Sequence, residues 1–188
     1  MFTEERLLGM TDDLMKNATV MGVENMGKSY MTGSDFLTNE FIISTIATLV
    51  GFVVYHLLVV DVIKPSTGNS KLDTGLIDGF KLLSILFVSQ TLVSGLKGEI
   101  NYSDSWIQST LVSSASFVAF HTFVADKLPQ VEGRQALVMD ISKVALSMIA
   151  VQYMSGGDVM DIDYLISLAV TLSGFVLYHE VVHPRVFA

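Results

Sequence analysis

FIISTIATLVGFVVYH, residues 41 to 56, occurs in this chain in three related copies. The second is WIQSTLVSSASFVAFH, from Trp106 to His121, and the third is YLISLAVTLSGFVLYH, from Tyr164 to His179. Aligned without a gap, each begins with an aromatic residue and carries serine at its fourth position (Ser44, Ser109, Ser167). Each ends in a small residue, Phe-Val, a variable residue, an aromatic ring and histidine. Self-similarity at fixed spacing marks duplicated architecture, so the chain reads first as repeated units built on one helix.

The stretches between the copies repeat as well. LIDGFKLLSILFVSQTLVSG carries Asp78, Lys81, Gln90 and Gly95, while VMDISKVALSMIAVQYMSGG carries Asp140, Lys143, Gln152 and Gly157, all offset by 62. The same D-x-x-K occurs at Asp13 and Lys16, 65 residues before Asp78 and Lys81, which is also the offset from Phe41 to Trp106. The shared register predicts three units, about 1–65, 66–129 and 130–188, with the first unit's leading helix too polar to span a membrane.

Composition gives the class. Across 188 residues, 51% hydrophobic residues, 16% charged residues and a mean hydropathy of +0.53 are too apolar for an ordinary soluble domain. The apolar residues also fall in blocks. From Phe41 to Ile63 the only charged or readily charged side chains are His56 and Asp61, and these 23 residues give about 34 Å of helix, enough to cross a bilayer core. Five spans are expected, at 41–63, 75–96, 106–125, 136–155 and 162–182. The expected fold is therefore an all-α polytopic membrane bundle with internal parallel repeats.

Other classes are disfavoured. The absence of cysteine excludes disulfides, thiolate metal sites and cysteine nucleophiles. A net charge of −8 with no basic stripe argues against nucleic-acid binding. No basic segment followed by an apolar run marks a signal peptide, so the first span would direct insertion.

Residues 1–40 read as a polar N-terminal arm preceding a transmembrane domain at 41–188. EERLLGMTDDLMKNATVMG has leucine and methionine at roughly helical spacing among acids, and GKSYMTGSD breaks the pattern. An amphipathic helix on the membrane or on a partner and a flexible tail both fit. With five spans, Lys64, Lys71, Lys81, Lys127, Arg134, Lys143 and Arg185 fall on one side, against Arg6, Lys16, Lys28 and Lys97 among twelve acids on the other. The positive-inside rule then puts the C-terminus in the cytoplasm and the arm outside.

Within the repeated helix, Ser44, Thr48 and Gly51 share one face; the other copies place Ser109, Ser113, Ser116 and Ser167, Thr171, Gly174 there. Small and hydroxyl residues let helices approach closely in lipid, so a packing face is expected and a hydroxyl-lined pore is the alternative. His56, His121 and His179 close these helices. An interfacial ring bonding a loop carbonyl is the expectation; convergence on a metal or a proton relay about a pseudo-threefold axis is the alternative. Asp78 with Lys81, and Asp140 with Lys143, are spaced i, i+3 near a helix start, where each pair can partly neutralise itself. Gln90 and Gln152 are expected to bond a neighbouring helix, and Asp158, Asp161 and Asp163 to form a solvated turn capping the next helix.

His179, Glu180 and His183 spell H-E-x-x-H, the spacing that sets two zinc-binding imidazoles and a glutamate base on one helical turn. Here His179 is already explained by the repeat, and Pro184 disfavours helical geometry at His183. Zinc proteolysis is thus a remote alternative, and no metal or other cofactor is expected.

The run STIATLVGFVVYHLLV, followed by repeats with short polar loops, resembles the spans of small multi-spanning proteins of large icosahedral DNA viruses of algae and protists. The resemblance covers about a third of the chain and carries no catalytic motif. It implies a virion protein of the internal membrane, a minor capsid component tying membrane to shell, with the N-terminal arm as contact element. The functional expectation is a non-enzymatic structural membrane protein whose partners are the bilayer, other membrane or capsid proteins, and further copies of itself. The alternative is a small channel or proton-coupled carrier using the histidine and Asp/Lys sets.

Overall fold

The computed structural model describes residues 3–187. Three helical hairpins make up the described residues. The first pairs α1 (Glu4–Thr32) with α2 (Asn39–Val54), the second α3 (Ser70–Leu96) with α4 (Asp104–Ala119), and the third α5 (Gln135–Met154) with α6 (Ile162–Leu177). Each second helix continues into a five-residue π-turn, at Tyr55–Val59, Phe120–Val124 and Tyr178–Val182. A last helical turn, His183–Val186, follows the third.

The helix starts follow from short polar side chains. Thr3, Thr38 and Ser103 accept from the backbone N–H three residues on, and Asn69 and Asp161 cap α3 and α6 in the same way. Two acids, Glu4 and Glu5, suit the positive end of α1, and Gly33 at φ 67 ends it in the left-handed region that glycine enters without steric cost. These signals explain why a polar stretch still forms a 29-residue helix.

The hairpins close on one another. Within each hairpin the two helices pack together, and each second helix also packs on the leading helix of the next unit: α2 on α3, α4 on α5, and α6 back on α1. The contacts fall at equivalent positions. A Cβ on Gly51 would lie 2.8 Å from the Ile85 carbonyl oxygen, and one on Gly174 would lie 2.8 Å from the Val20 Cα. In the middle unit Ser116 holds the glycine's place, and it is buried, as is Ser147 at the register of Val20 and Ile85. Small residues at the close approach let the backbones meet, and the result is a pseudo-threefold ring of six helices.

Hydroxyl side chains share the buried positions with Phe52, Ile85, Phe120 and Tyr178, and the outer face is apolar. Thr110, Ser114, Ser116, Ser147 and Thr171 are buried, while Leu58, Phe123 and Val62 are 67%, 67% and 80% exposed. Five of the helices, Asn39–Val59, Ser70–Leu96, Asp104–Lys127, Gln135–Met154 and Ile162–Val186, are long and apolar enough to cross a membrane. That set matches the five expected spans and is compatible with a multi-pass integral membrane protein.

The described part of the N-terminal arm, residues 3–40, differs from expectation in one respect. α1 is a folded helix that packs beside the apolar helices, between α6 and α2. It begins at the histidine end, where Arg6 donates to the His56 carbonyl and pairs with Asp61 at 2.8 Å. The start of α1 and the C-terminal turn are therefore at the same end, not at opposite ends as the five-span count placed them. The reason is that the polar residues of α1 face the ring interior, where partners wait for them.

Candidate functional site

The residues Asp13, Asp78 and Asp140 stand at equivalent places on α1, α3 and α5, and each binds two partners. Asp13 accepts from His56 Nε2 of its own hairpin at 2.7 Å and from Lys81 Nζ of the next. Asp78 accepts from His121 Nε2 at 2.8 Å and from Lys143 Nζ at 2.7 Å. Asp140 accepts from His179 Nε2 at 2.9 Å, and Lys16 Nζ of the first hairpin lies 2.9 Å from the same carboxylate. Every aspartate thus joins the histidine of its own unit to the lysine of the following one, and the third unit reaches back to the first.

This arrangement corrects two local expectations. The lysine serves the preceding hairpin, not the aspartate three residues earlier, and Lys143 lies 3.9 Å from Asp140 against 2.7 Å from Asp78. The histidines bond carboxylates, not loop carbonyls. A carboxylate in an apolar bundle needs a cation and hydrogen bonds to offset its lost hydration, and the neighbouring unit supplies the missing cation.

The π-turns place the histidines. Tyr55, Phe120 and Tyr178 open these turns and are 3%, 0% and 0% exposed, each edge-on to the histidine that follows it. The extra residue in a π-turn rotates consecutive side chains less than an α-helix does, so ring and imidazole both face inward. The lysines complete the cluster. Lys81 sits over Tyr55 and Phe52, Lys143 over Phe117 and Lys16 over Tyr178, at 5.1 to 5.9 Å from the ring centres.

Beside these charged sets lies a chamber of about 550 Å³, open on one side and lined by residues of all three hairpins. The three Asp–Lys sets bound one part of it, and Thr48, Ser113 and Thr171 with Phe52, Phe117 and Phe175 line its wall. A vestibule of about 530 Å³ adjoins it towards the opposite end, lined by Lys28, Glu40, Ser44 and Ser167 among others. Both cavities touch Met21, Glu24, Met148 and Thr171.

The hydroxyl face therefore divides its work. Gly51, Ser116 and Gly174 are the packing positions, whereas Thr48, Ser113 and Thr171 line the chamber. Thr48 shares a hydrogen bond with Ser89 of the next unit at 3.2 Å, and Thr171 donates to Glu24 at 2.6 Å. Ser109 bonds its own helix at the Trp106 carbonyl, and Ser44 and Ser167 open on the vestibule. Gln90 and Gln152 donate to the loop carbonyls of Asn101 and Asp158 and so brace turns instead of joining neighbouring helices. Asp161 caps α6 as its position suggests.

The H-E-x-x-H residues have separate partners. His179 binds Asp140, Glu180 pairs outward with Arg134 at 2.9 Å, and His183 lies 3.6 Å from Asp12. Among the described residues no three His, Asp or Glu side chains gather in a group that could hold a metal. His183 is helical at φ −54 despite preceding proline, because a new helical turn starts there and Pro184 falls in its first turn, where an N–H is not needed.

Glu24 and Asp12 were not singled out from sequence. Asp12 accepts from the Tyr178 hydroxyl and lies 3.5 Å from Lys16. Extending the 65-residue offset along α1 sets Glu24 against Ser89, and the 62-residue offset then reaches Val151. That alignment carries the signal, since two of the three equivalent positions are neutral. Comparison with protein families, curated proteins and solved structures finds no match for this chain.

Proposed function

We propose that the chain is a non-enzymatic structural protein of a membrane, a self-contained bundle whose charges lock three hairpins in register. The observation behind this is the cyclic bonding of Asp13, Asp78 and Asp140, which engages each ring carboxylate with one histidine and one lysine. Buried ion pairs contribute little net stability, and their best-attested use is to fix register among otherwise similar packings. Three homologous hairpins in lipid face that problem, because greasy helices alone can pair in several orders.

In this reading α1 crosses the bilayer with the other five helices. The histidine end, with Arg6, Lys64, Lys71, Lys127, Arg134 and Arg185 against Lys28 and Lys97 at the other, faces the cytoplasm. The apolar outer face meets lipid, and the end loops are left for partners. A virion internal membrane as the setting rests on the sequence resemblance alone.

A channel or proton-coupled carrier is the second reading, and the chamber with its adjoining vestibule is the observation that favours it. Substitution in the ring separates the two. In proteoliposomes, His121→Ala and Lys143→Met should lower thermal stability and leave proton and ion leak at the level of the wild type. Loss of a wild-type flux in variants that remain folded would replace the structural reading with the carrier.

A further inference from the structure

We infer that Glu24 is a binding site for a single positive charge from outside the protein, a proton or an alkali ion, reached from the end of the bundle opposite the histidines. The inference goes beyond the structural reading and does not depend on it. Glu24 lies on the part of α1 that faces both cavities, so it stands where the vestibule meets the chamber. One carboxylate oxygen, Oε1, accepts from Thr171 at 2.6 Å, and Thr171 is buried well inside the apolar span Ile162–Val186.

The contrast with the ring carboxylates gives this position its meaning. Asp13, Asp78 and Asp140 each have a lysine and a histidine within 2.9 Å. Among the described residues Glu24 has no Lys, Arg or His within ion-pairing distance, and the Thr171 hydroxyl is its hydrogen-bond partner. Glu24 is half-buried against a buried threonine of an apolar helix, where an ionised carboxylate is costly without a cation, so it either holds a proton or meets a positive charge that arrives through the vestibule.

Packing does not require the acid. The same register holds Ser89, which meets Thr48 in a neutral hydroxyl pair, and Val151. A charge that breaks the threefold pattern where its equivalents are neutral is added to the scaffold and not part of it. The titratable groups facing it are Lys28 along α1 and Glu40 of α2 on the vestibule side, and the three Asp–Lys sets of α1, α3 and α5 across the chamber. From α6 it accepts from Thr171, and the neutral hydroxyl of Ser167 lines the same vestibule.

Infrared difference spectroscopy of the full chain in lipid nanodiscs tests this, with wild type and Glu24→Gln compared at neutral pH, first without alkali ions and then with added Na⁺ or K⁺. A protonated-carboxyl band present in wild type and missing from the variant is the expected result. Persistence of the band in Na⁺ and K⁺ identifies the proton as occupant, and its conversion to a carboxylate band identifies the alkali ion. A Glu24 carboxylate band already present without alkali ions, and unmoved by them, would overturn the inference. Should Glu24→Gln fail to fold, Glu24→Ser, which copies the middle unit at Ser89, gives the same comparison.

Discussion

Lys16 Nζ lies 2.9 Å from Asp140 Oδ2, and this contact between the first hairpin and the third turns a row of repeats into a closed ring. Both side chains are largely buried, at 17% and 16% exposed. Lys16→Met leaves Asp140 with His179 and a lysine at 3.9 Å, so a loss of about 2 kcal/mol is expected in reversible unfolding in mild detergent. Adding Asp140→Asn, which still accepts from His179, should recover part of that loss. A double variant as unstable as the sum of the two single ones would mean that the residues are not coupled.

Close approach at the small residues predicts a second effect. Gly51→Ala places a methyl 2.8 Å from a backbone oxygen, and overpacking of that kind costs about 1–3 kcal/mol. Gly95→Ala meets nothing within 4 Å and should be neutral or stabilising. Melting temperatures of the two variants give the comparison, and equal values would place the helix contact elsewhere.

Much of this architecture could be read in the sequence. The three copies of the repeated helix, the 62- and 65-residue offsets and the blocks of apolar residues led to the five spans. The polar α1 was harder to place because hydropathy scores a residue by its own chemistry and not by its partners. Asp13 and Lys16 read as residues of a polar arm, and only the folded chain shows His56, Lys81 and Asp140 beside them. The same limit hid the pairing order of the ring. Local spacing offers Asp78 its own Lys81, and only closure in space sends Lys81 to Asp13 and Lys143 to Asp78.

The outer clasp should respond to pH. Asp61 is exposed beyond the first apolar span, and the hydrogen bond and charge of Arg6 hold its carboxyl below the usual aspartate value. A lowered folded pKa means that the pair stabilises the fold above the unfolded value, near 3.9, and is lost as pH falls through the folded one. Carboxyl carbon shifts in a pH titration should show Asp61 titrating below its normal range, and Arg6→Gln should return it there. An unchanged midpoint in the variant would contradict the assignment to Arg6.

The H-E-x-x-H residues should behave as unequal structural groups. His179→Ala removes a bond to a ring carboxylate and should cost about 1–2 kcal/mol, whereas His183 is 45% exposed by side chain and its removal should fall within about 0.5 kcal/mol. A chelator should leave the melting temperature unchanged. A drop on chelation, restored by zinc, would point instead to a metal at His179 and His183.

The central claim is that α1 crosses the membrane as the sixth helix of the ring. The chain has no cysteine, so single cysteines at Glu4, Ser34 and Arg185 can be labelled one at a time with a membrane-impermeant maleimide in sealed vesicles of known orientation. Positions 4 and 185 are expected to react from the same side and position 34 from the other. Reaction of positions 4 and 34 from one side would leave α1 at the surface and contradict the ring as a membrane-spanning structure.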